Sequence, residues 1–438
     1  MEINTNELPF LVGSAAVLLI IYLFLYKKFI YSIVDPLFIW VLTTSFGSVL
    51  AIQVIPGLPD IIHFFGCQLS LWAGFVLAYN RPNANRLVDN ELQATYTFSD
   101  QDLLRWFTYA AFFVYLFSNM IIAYSKGFAL FSDTPTESKI ANFQNGFGIF
   151  RKINWSIGTF VLTAFIYMYI LKRRIIDLSF LIIVIFLGSL DGSKASFLRV
   201  ALAAGVILYH PSFSGRKVAL KTLKKYVPLF LGITMTIFFS VLLKENNGIS
   251  EAGLAFIKRL LYTADSVLYY YTPVNIDYFD SYSFGDYLVR ITNPILGFFR
   301  LQEYQEAPGN LMVENLSLPG SLPSVTVGPN APFFIEGRIY FNFWVAFPYS
   351  MIIGYLYAST RIYFFSLQRS SAFYYIFVAS FMQLAIALIT DVNLAITQLF
   401  DLFFFVAPFY VVISLLLTRK VKISVFPFVV SRSKCRKN

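Results

Sequence analysis

The sequence predicts an all-α polytopic membrane protein, on the evidence of its composition and of its repeated apolar runs. Hydrophobic residues make up 57% of the 438 residues, and charged residues only 13%. A soluble globule needs more polar side chains than this to cover its surface. A helix of about 20 residues crosses the hydrocarbon core, and apolar runs of about that length recur along the chain. We therefore expect one polytopic membrane domain over residues 1–438.

The apolar runs predict about eleven membrane-spanning helices. They lie at Leu8–Tyr26, Pro36–Val54, Asp60–Asn80, Leu104–Tyr124, Ile153–Leu171, Ile175–Leu190, Ala195–His210, Tyr226–Leu243, Ile339–Ser359, Ser371–Thr390 and Gln398–Thr418. The first run is expected to remain as an anchor, because acidic rather than basic residues precede it. No internal repeat is evident. The fold is expected to be a bundle with one large external loop, at residues 244–338, between the eighth and ninth spans.

Lysine and arginine clusters predict the orientation of the chain. They occur in every second connection, at Lys27-Lys28, Arg81 with Arg86, Lys172–Arg174, residues 216–225, Arg361 with Arg369, and the tail from Arg419 to Lys437. The positive-inside rule then puts the N-terminus outside and the C-terminus in the cytoplasm. The clusters also account for the net charge of +10, so no nucleic-acid partner is expected.

The external loop contains a predicted amphipathic helix at Ser250–Tyr271. Apolar residues at alternating spacings of three and four form one stripe along it. The stripe consists of Leu254, Ile257, Leu261, Ala264, Leu268 and Tyr271. Two interpretations remain open: a helix that lies on the membrane surface or caps the bundle, and a helix that only covers the core.

A short polar break, Asp191-Gly192-Ser193-Lys194, precedes a predicted span and indicates an anion site. The N-terminus of a helix offers free N–H groups and the positive end of the helix dipole, and Lys194 adds a charge. Arg199 follows inside the span, where a guanidinium needs a partner or a water-filled cavity. The alternative for Arg199 is that it snorkels to the membrane surface.

Three arginines of the external segment, Arg290, Arg300 and Arg338, can bind phosphate in a bidentate way, which suits a pyrophosphate leaving group. Glu336 stands at the start of the ninth span, where partial desolvation favours work as a general base. The alternative for each arginine is an ordinary salt bridge within the loop. Its partners would then be Asp277, Asp280 and Asp286.

Tyrosines are dense in the external loop and indicate a glycan-binding surface, since aromatic rings stack on the C–H faces of sugars. They are Tyr269, Tyr270, Tyr271, Tyr278 and Tyr282. The two histidines, His63 and His210, belong to no cluster with zinc spacing, so no metal is expected.

The arrangement resembles the O-antigen and capsule repeat-unit polymerases (Wzy-type) of Gram-negative bacteria. The shared features are many spans, a Gly-(Ser/Thr)-(Arg/Lys) turn before a central span, and one large external loop before the last three spans. Here the turn reads Gly192-Ser193-Lys194, with lysine where relatives carry arginine. The loop contains an Arg-xxx-Pro element, Arg290 to Pro294, and an approach to the next span at Pro332 to Glu336.

The resemblance implies a GT-C-like glycosyltransferase bundle in the bacterial inner membrane, with a periplasmic N-terminus and no cofactor. Its substrates would be two undecaprenyl-pyrophosphate-linked oligosaccharides in membrane lipid, and a chain-length regulator would be a further partner. In that scheme Lys194, Arg199 and Arg290 hold pyrophosphate and Glu336 is the base. Arg300 and Arg338 assist them.

Two other functions remain open. The first is an O-antigen ligase, but relatives of that kind use an external-loop histidine, and residues 244–338 contain none. The second is a non-enzymatic flippase of lipid-linked oligosaccharides, which would need charges along a central cavity. Asp401 is expected to pair with Arg199 or to belong to a proton path, with the structural pairing favoured.

Overall fold

The computed structural model describes residues 8–81, 101–132, 135–143, 146–191, 196–210, 249–317, 328–367 and 371–417. Regular structure in these ranges is helical, and they contain no strand. The helices are α1 (Leu8–Tyr26), α2 (Pro36–Val54), α3 (Leu58–Tyr79), α4 (Gln101–Lys126), α5 (Pro135–Ala141), α6 (Gly148–Lys172), α7 (Ile175–Leu190), α8 (Ser196–Leu208), α9 (Ile249–Leu261), α10 (Ser266–Tyr270), α11 (Pro273–Phe279), α12 (Phe284–Leu296), α13 (Pro308–Leu316), α14 (Phe333–Ser366), α15 (Ala372–Leu384), α16 (Ala387–Thr390) and α17 (Val392–Leu417). Short 3₁₀ turns lie at Ala129–Phe131 and Tyr262–Ala264.

Eight helical segments of the described chain are long and apolar enough to cross a membrane. They comprise α1 to α4, α6, α14, the pair α15 and α16, and α17. This confirms the coarse prediction of an all-helical, polytopic membrane protein. Helices α7 and α8 are apolar but shorter, and the run predicted at 226–243 lies outside the described residues. The count of eleven spans, the GT-C-like bundle and the orientation stay predictions.

Apolar side chains gather into two main clusters. One surrounds α6, where Phe160 and Phe165 are fully buried, and the other lies between α3 and α14. Helices α3 and α14 cross closely at Gly74 and Gly354, where an added Cβ would overlap a backbone carbonyl oxygen of the facing helix. Small residues permit this approach of two backbones. The crossing fixes α14, which carries Glu336 in its first turn.

Helix α14 consists of two pieces joined at Asn342. The backbone there has φ 62° and ψ −176°, a conformation that side chains rarely adopt. The Asn342 Oδ1 accepts hydrogen bonds from the N–H groups of Trp344 (3.1 Å) and Val345 (3.3 Å), and so caps the second piece. The short first piece, 333–341, is thereby set apart from the long apolar helix that follows it.

The helix predicted at Ser250–Tyr271 is interrupted. Helix α9 ends at Leu261, the 3₁₀ turn follows, and α10 begins at Ser266. Thr263 Oγ1 donates to the carbonyl oxygen of Thr43 at 2.8 Å, which holds the turn against α2. A 3₁₀ helix has three residues per turn, whereas an α-helix has 3.6. The side of this segment that faces the core therefore changes at the turn. Leu261 packs with residues of α1 and α2, whereas Val267 joins the cluster around α14.

Arg361 and Asp35 form an ion pair that is wholly buried, with both side chains 0% exposed. The guanidinium grips the carboxylate with two bonds of 2.7 Å, and Nη2 also donates to the carbonyl oxygen of Phe29. Asp35 in turn caps α2 by accepting the N–H of Leu37. The sequence-based assignment of Arg361 to a connection is thus corrected: Arg361 lies inside α14, neutralised by Asp35. The orientation of the chain stays a prediction.

The ion pair can be tested with Asp35→Asn, which keeps a capping oxygen but leaves Arg361 without a counter-charge. We expect a loss of about 3–5 kcal/mol of stability, because an unpaired buried charge is costly. The thermal midpoint of the purified protein in detergent measures it. The matched control is Asp60→Asn, since Asp60 lies 3.7 Å from Arg338 in a partly exposed pair that contributes about 1 kcal/mol at most. Equal losses in the two variants would contradict a special role for Asp35.

Candidate functional site

Arg290 is the centre of a buried polar cluster between α12, α14 and α17. Helix α12 begins with a capping box, in which Asp286 accepts the N–H of Ser283 at 2.8 Å. The helix packs on α14 and α17, so Arg290 is only 5% exposed. Its Nε and Nη1 have no hydrogen-bond partner among the residues that the structure describes. A guanidinium buried with free donors has capacity left for an anion.

Glu336 faces this cluster from the first turn of α14. Its side chain is 2% exposed, and the Tyr349 hydroxyl donates to Oε2 at 2.8 Å. Tyr287 donates to the Tyr349 hydroxyl at 3.3 Å, which links α12 to α14 through one polar chain. The N–H of Val392 also donates to the carboxylate, and Arg290 and Asp391 both act on it electrostatically. Glu336 is therefore oriented by α14, by α12 and by the start of α17.

Asp391 is the second buried carboxylate of the site, and sequence reasoning missed it. It is 8% exposed and caps α17 by accepting the N–H of Leu394 at 2.8 Å. It accepts a further hydrogen bond from the backbone of Ala331. Burial raises the pKa of Asp391 to about 6, against the opposing effect of its backbone hydrogen bonds and of Arg290. An acid in a short turn between two apolar runs was the signal that could have found it.

Two tyrosines complete the surroundings of Arg290. Tyr340 is 4% exposed, and its hydroxyl has no hydrogen-bond partner in the described ranges. The ring of Tyr282 lies 6.0 Å from the Arg290 Cζ, at the outer limit of a cation–π contact. Tyr340 and Arg290 together give this site three buried polar groups without partners. Such groups each cost free energy unless a ligand or water pairs with them.

Arg338 points away from this cluster, although it follows Glu336 by only two residues. Two residues turn a helix by about 200°, so the two side chains lie on opposite faces. Arg338 lies 3.7 Å from Asp60 of α3 and 5.3 Å from the ring of Phe343. Its partner is thus none of the three loop aspartates considered from the sequence.

Arg300 lies in the turn after α12 and is exposed. It has φ 57°, the left-handed conformation. Its N–H donates to the carbonyl of Gly297 at 3.0 Å, and the N–H of Leu301 donates to Leu296 at 2.8 Å. These two bonds form a Schellman motif, which usually has glycine at the position of Arg300. Arg300 thus occupies a backbone conformation that is strained for a residue with a side chain, in the turn that ends α12.

Arg199 belongs to a different group from Arg290. It lies near the start of α8, whose described residues begin at Ser196, and it is exposed. Its electrostatic neighbours include Asp191 and Lys139. Lys194 and the rest of the Gly-Ser-Lys turn lie outside the described residues. The structure therefore brings Arg290 and Glu336 together, but not Arg290 with Arg199.

Asp401 pairs with Lys152. The sequence had instead suggested Arg199 as its partner. The Lys152 Nζ lies 2.8 Å from the Asp401 Oδ1. The residues were missed as partners because 249 positions separate them along the chain. The structural reading of Asp401, an ion pair, is the one that this contact favours.

The predicted glycan-binding tyrosines fall into two classes. Tyr270 is buried and packs against Tyr271 and Phe279, so it serves the core. Tyr278 is exposed, and the Tyr282 hydroxyl donates to the Tyr278 hydroxyl at 3.3 Å. Tyr269 is partly buried. Tyr282 is the tyrosine whose ring contacts Arg290, and Tyr278 is joined to it by this hydrogen bond.

No group of three or more His, Cys, Asp or Glu residues within the described ranges is arranged to hold a metal. His63 lies 3.7 Å from the sulfur of Cys67, and the second histidine, His210, bonds the carbonyl oxygen of Phe364 at 2.9 Å. Both histidines are buried in helix packing.

Arg300→Gly tests the strain in the turn after α12. Glycine adopts the left-handed conformation freely, so we expect the variant to be more stable by about 1 kcal/mol. Thermal unfolding in detergent measures it. The same change at Arg259, inside α9, should instead destabilise by about 1 kcal/mol. A loss of stability in Arg300→Gly would show that its side chain holds the turn together.

The raised pKa of Asp391 makes stability depend on pH. The pKa is 3.8 in the unfolded chain and about 6 in the folded one, so the folded state favours the protonated acid. This contribution is fully present below about pH 4 and is lost as the pH rises through 6. Asp391→Asn stays neutral, so relative to the parent it should gain about 2–3 kcal/mol between pH 4 and pH 8. Parallel curves of thermal midpoint against pH would refute this.

The buried cluster has to be interpreted from its own residues. No protein-family model, no curated protein and no solved structure matches the chain. Support for a function therefore comes from the chemistry of Arg290, Glu336 and Asp391 and from their burial in one cluster.

Proposed function

We propose that the protein is a polymerase of O-antigen or a related surface polysaccharide, a metal-independent glycosyltransferase of the bacterial inner membrane. It would move the growing glycan from undecaprenyl pyrophosphate onto a new lipid-linked repeat unit at the periplasmic face. The observation that carries this proposal is Arg290, a buried guanidinium with two unpaired nitrogens beside two buried carboxylates. That combination suits an anionic leaving group next to a base.

Arg290 is the residue proposed to bind pyrophosphate. Its free Nε and Nη1 lie on different edges of the guanidinium, so each can donate to a separate phosphate oxygen. The rigid guanidinium also stays charged at every physiological pH, whereas a lysine ammonium is a compact charge on a flexible stem. The leaving pyrophosphate gains negative charge as its bond to the sugar breaks, and donors already in place in a dry site stabilise that charge most. The unpaired hydroxyl of Tyr340 is one further donor for the same group.

Glu336 is the proposed general base. The acceptor hydroxyl would lose its proton to this carboxylate as its oxygen bonds to the anomeric carbon of the donor sugar. The bond from that carbon to the pyrophosphate oxygen breaks in the same step, and the lipid pyrophosphate leaves. The hydrogen bonds from the Tyr349 hydroxyl to Oε2 and from the N–H of Val392 fix the orientation of the carboxylate that would take the proton.

Lys194, Arg199, Arg300 and Arg338 remain predictions as pyrophosphate-binding or assisting residues. Arg338 lies on the far face of α14, paired with Asp60, so it would have to act from outside the buried cluster. Tyr278 and Tyr282, next to Arg290, are the tyrosines best placed to contact a sugar. A chain-length regulator stays a proposed partner.

Surface polysaccharide tests this function. A strain deleted for the gene would be complemented with the intact gene, Arg290→Lys or Glu336→Gln, and its polysaccharide run on a gel. We expect a core with a single repeat in the deletion strain, and a full ladder only with the intact gene. In a purified assay each variant should be slower by about 100-fold or more, since the fork of Arg290 and the base act in the transition state. The control is Arg81→Ala, an exposed arginine after α3.

Other results would point elsewhere. Loss of even the single repeat in the deletion strain would indicate a ligase or a flippase. An unchanged ladder in that strain would remove the protein from this pathway. A full ladder from Glu336→Gln, with the variant present in the membrane, would exclude Glu336 as the base.

A further inference from the structure

A cavity of about 100 Å³ lies between α2, α3 and the segments that lead to the two buried carboxylates. One wall is formed by Asn330 and by Pro332–Phe334, just before Glu336. Another is formed by Ile389 and Thr390, which directly precede Asp391. The cavity therefore borders the same two chain segments that carry the carboxylates, but it is not part of the Arg290 cluster.

The lining of this cavity is uncharged and combines polar with apolar side chains. Thr43, Thr44 and Ser48 of α2 face Gln68 of α3, and Thr263 and Asn330 contribute from the loop. No charged side chain belongs to the lining in the part of the chain that the structure describes. An anion such as pyrophosphate would have no counter-charge here, so a neutral ligand is favoured.

Gln68 supplies the independent sign that a ligand belongs in the cavity. Its side chain is 4% exposed, and its Oε1 has no hydrogen-bond partner within the described part of the chain. A buried carbonyl oxygen left unpaired costs about 1–3 kcal/mol, so it is expected to accept from something that occupies the cavity. An acyl chain would leave the oxygen unpaired, whereas a hydroxyl group would satisfy it.

Size and shape narrow the ligand further. A cavity of this volume holds several water molecules, which is roughly the space of one sugar ring. Trp40 provides an aromatic wall beside the hydroxyl-bearing residues, and a pyranose presents C–H faces as well as hydroxyls. We infer that the cavity between α2 and α3 binds one neutral sugar ring of the lipid-linked substrate, an inference that rests on the proposed function.

The division of labour is then between two subsites. Arg290 takes the charged pyrophosphate, and the cavity takes an uncharged ring. The segments 330–336 and 389–391 connect them, because each has its cavity residues within a few positions of its carboxylate. A sugar bound in the cavity would be held at a fixed position relative to Glu336, the proposed base.

Two probes and three variants separate the subsites. The probes are inorganic pyrophosphate and the neutral repeat-unit oligosaccharide released by mild acid from the lipid-linked pool of the deletion strain. Gln68→Met removes the amide at nearly constant size, Thr44→Leu fills the cavity, and Arg290→Ala is the control. Binding to the purified protein is measured by calorimetry. Thr44→Val, which removes one hydroxyl with little change of shape, replaces Gln68→Met if that variant fails to fold.

We expect oligosaccharide binding to weaken about threefold to tenfold in Gln68→Met, the effect of one neutral hydrogen bond, and to be lost in Thr44→Leu. Both should keep pyrophosphate binding. Arg290→Ala should lose pyrophosphate binding and keep oligosaccharide binding.

Oligosaccharide binding that is unchanged in both cavity variants would mean that the cavity holds water only, and would overturn the inference. So would an intact protein that builds the ladder yet binds no oligosaccharide. An unchanged ladder in the deletion strain would instead show that the proposed function is wrong, and the inference with it.

Discussion

A charge in the low-dielectric interior of a helix bundle needs a partner, and this constraint shapes the structure. Arg361 and Asp35 meet it fully, with two bonds of 2.7 Å and no exposure. That pair ties the long α14 to the turn between α1 and α2. Without it, the helix that carries Glu336 would have an unpaired guanidinium in its interior.

Arg290 contrasts with Arg361. Both are buried, but Arg290 keeps Nε and Nη1 unpaired although Glu336 and Asp391 act on it electrostatically. Arg361 lacks a partner only at Nε. The carboxylates near Arg290 are held by other donors, Tyr349 for one and backbone N–H groups for the other. The bundle thus stabilises one arginine by pairing and leaves the other with donors available, as expected where function and not folding selects the residue.

Two of the three non-glycine residues with positive φ in the described chain lie near the same region. Asn342 lies just beyond the helical piece that carries Glu336, and Arg300 just beyond α12, which carries Arg290. The third, Arg173, ends α6 elsewhere. Asn342 and Arg300 are each held by hydrogen bonds of their own turn. Strained positions persist when the surrounding structure fixes them, and they concentrate at functional sites.

Hydropathy was sufficient to locate the long apolar helices, because a membrane span is a local property of about 20 residues. Three predicted runs, among them Leu8–Tyr26, have the same bounds as the observed helices. The sequence also pointed to Arg290, as an arginine of the external segment, and to Glu336, as an acid at the start of a predicted span. It could not show that α14 extends beyond its apolar run to include Arg361, because hydropathy falls where polar residues begin.

The sequence by itself therefore determined the class of protein, the long apolar helices and the candidate functional residues. The tertiary structure alone decided which of those residues meet. The helical turn of about 100° per residue separates Arg338 from Glu336, and packing brings Asp391 to Glu336 and Lys152 to Asp401 across dozens to hundreds of positions. Partners of this kind depend on how helices cross, and crossing depends on close contacts such as Gly74 with α14, which no local pattern encodes.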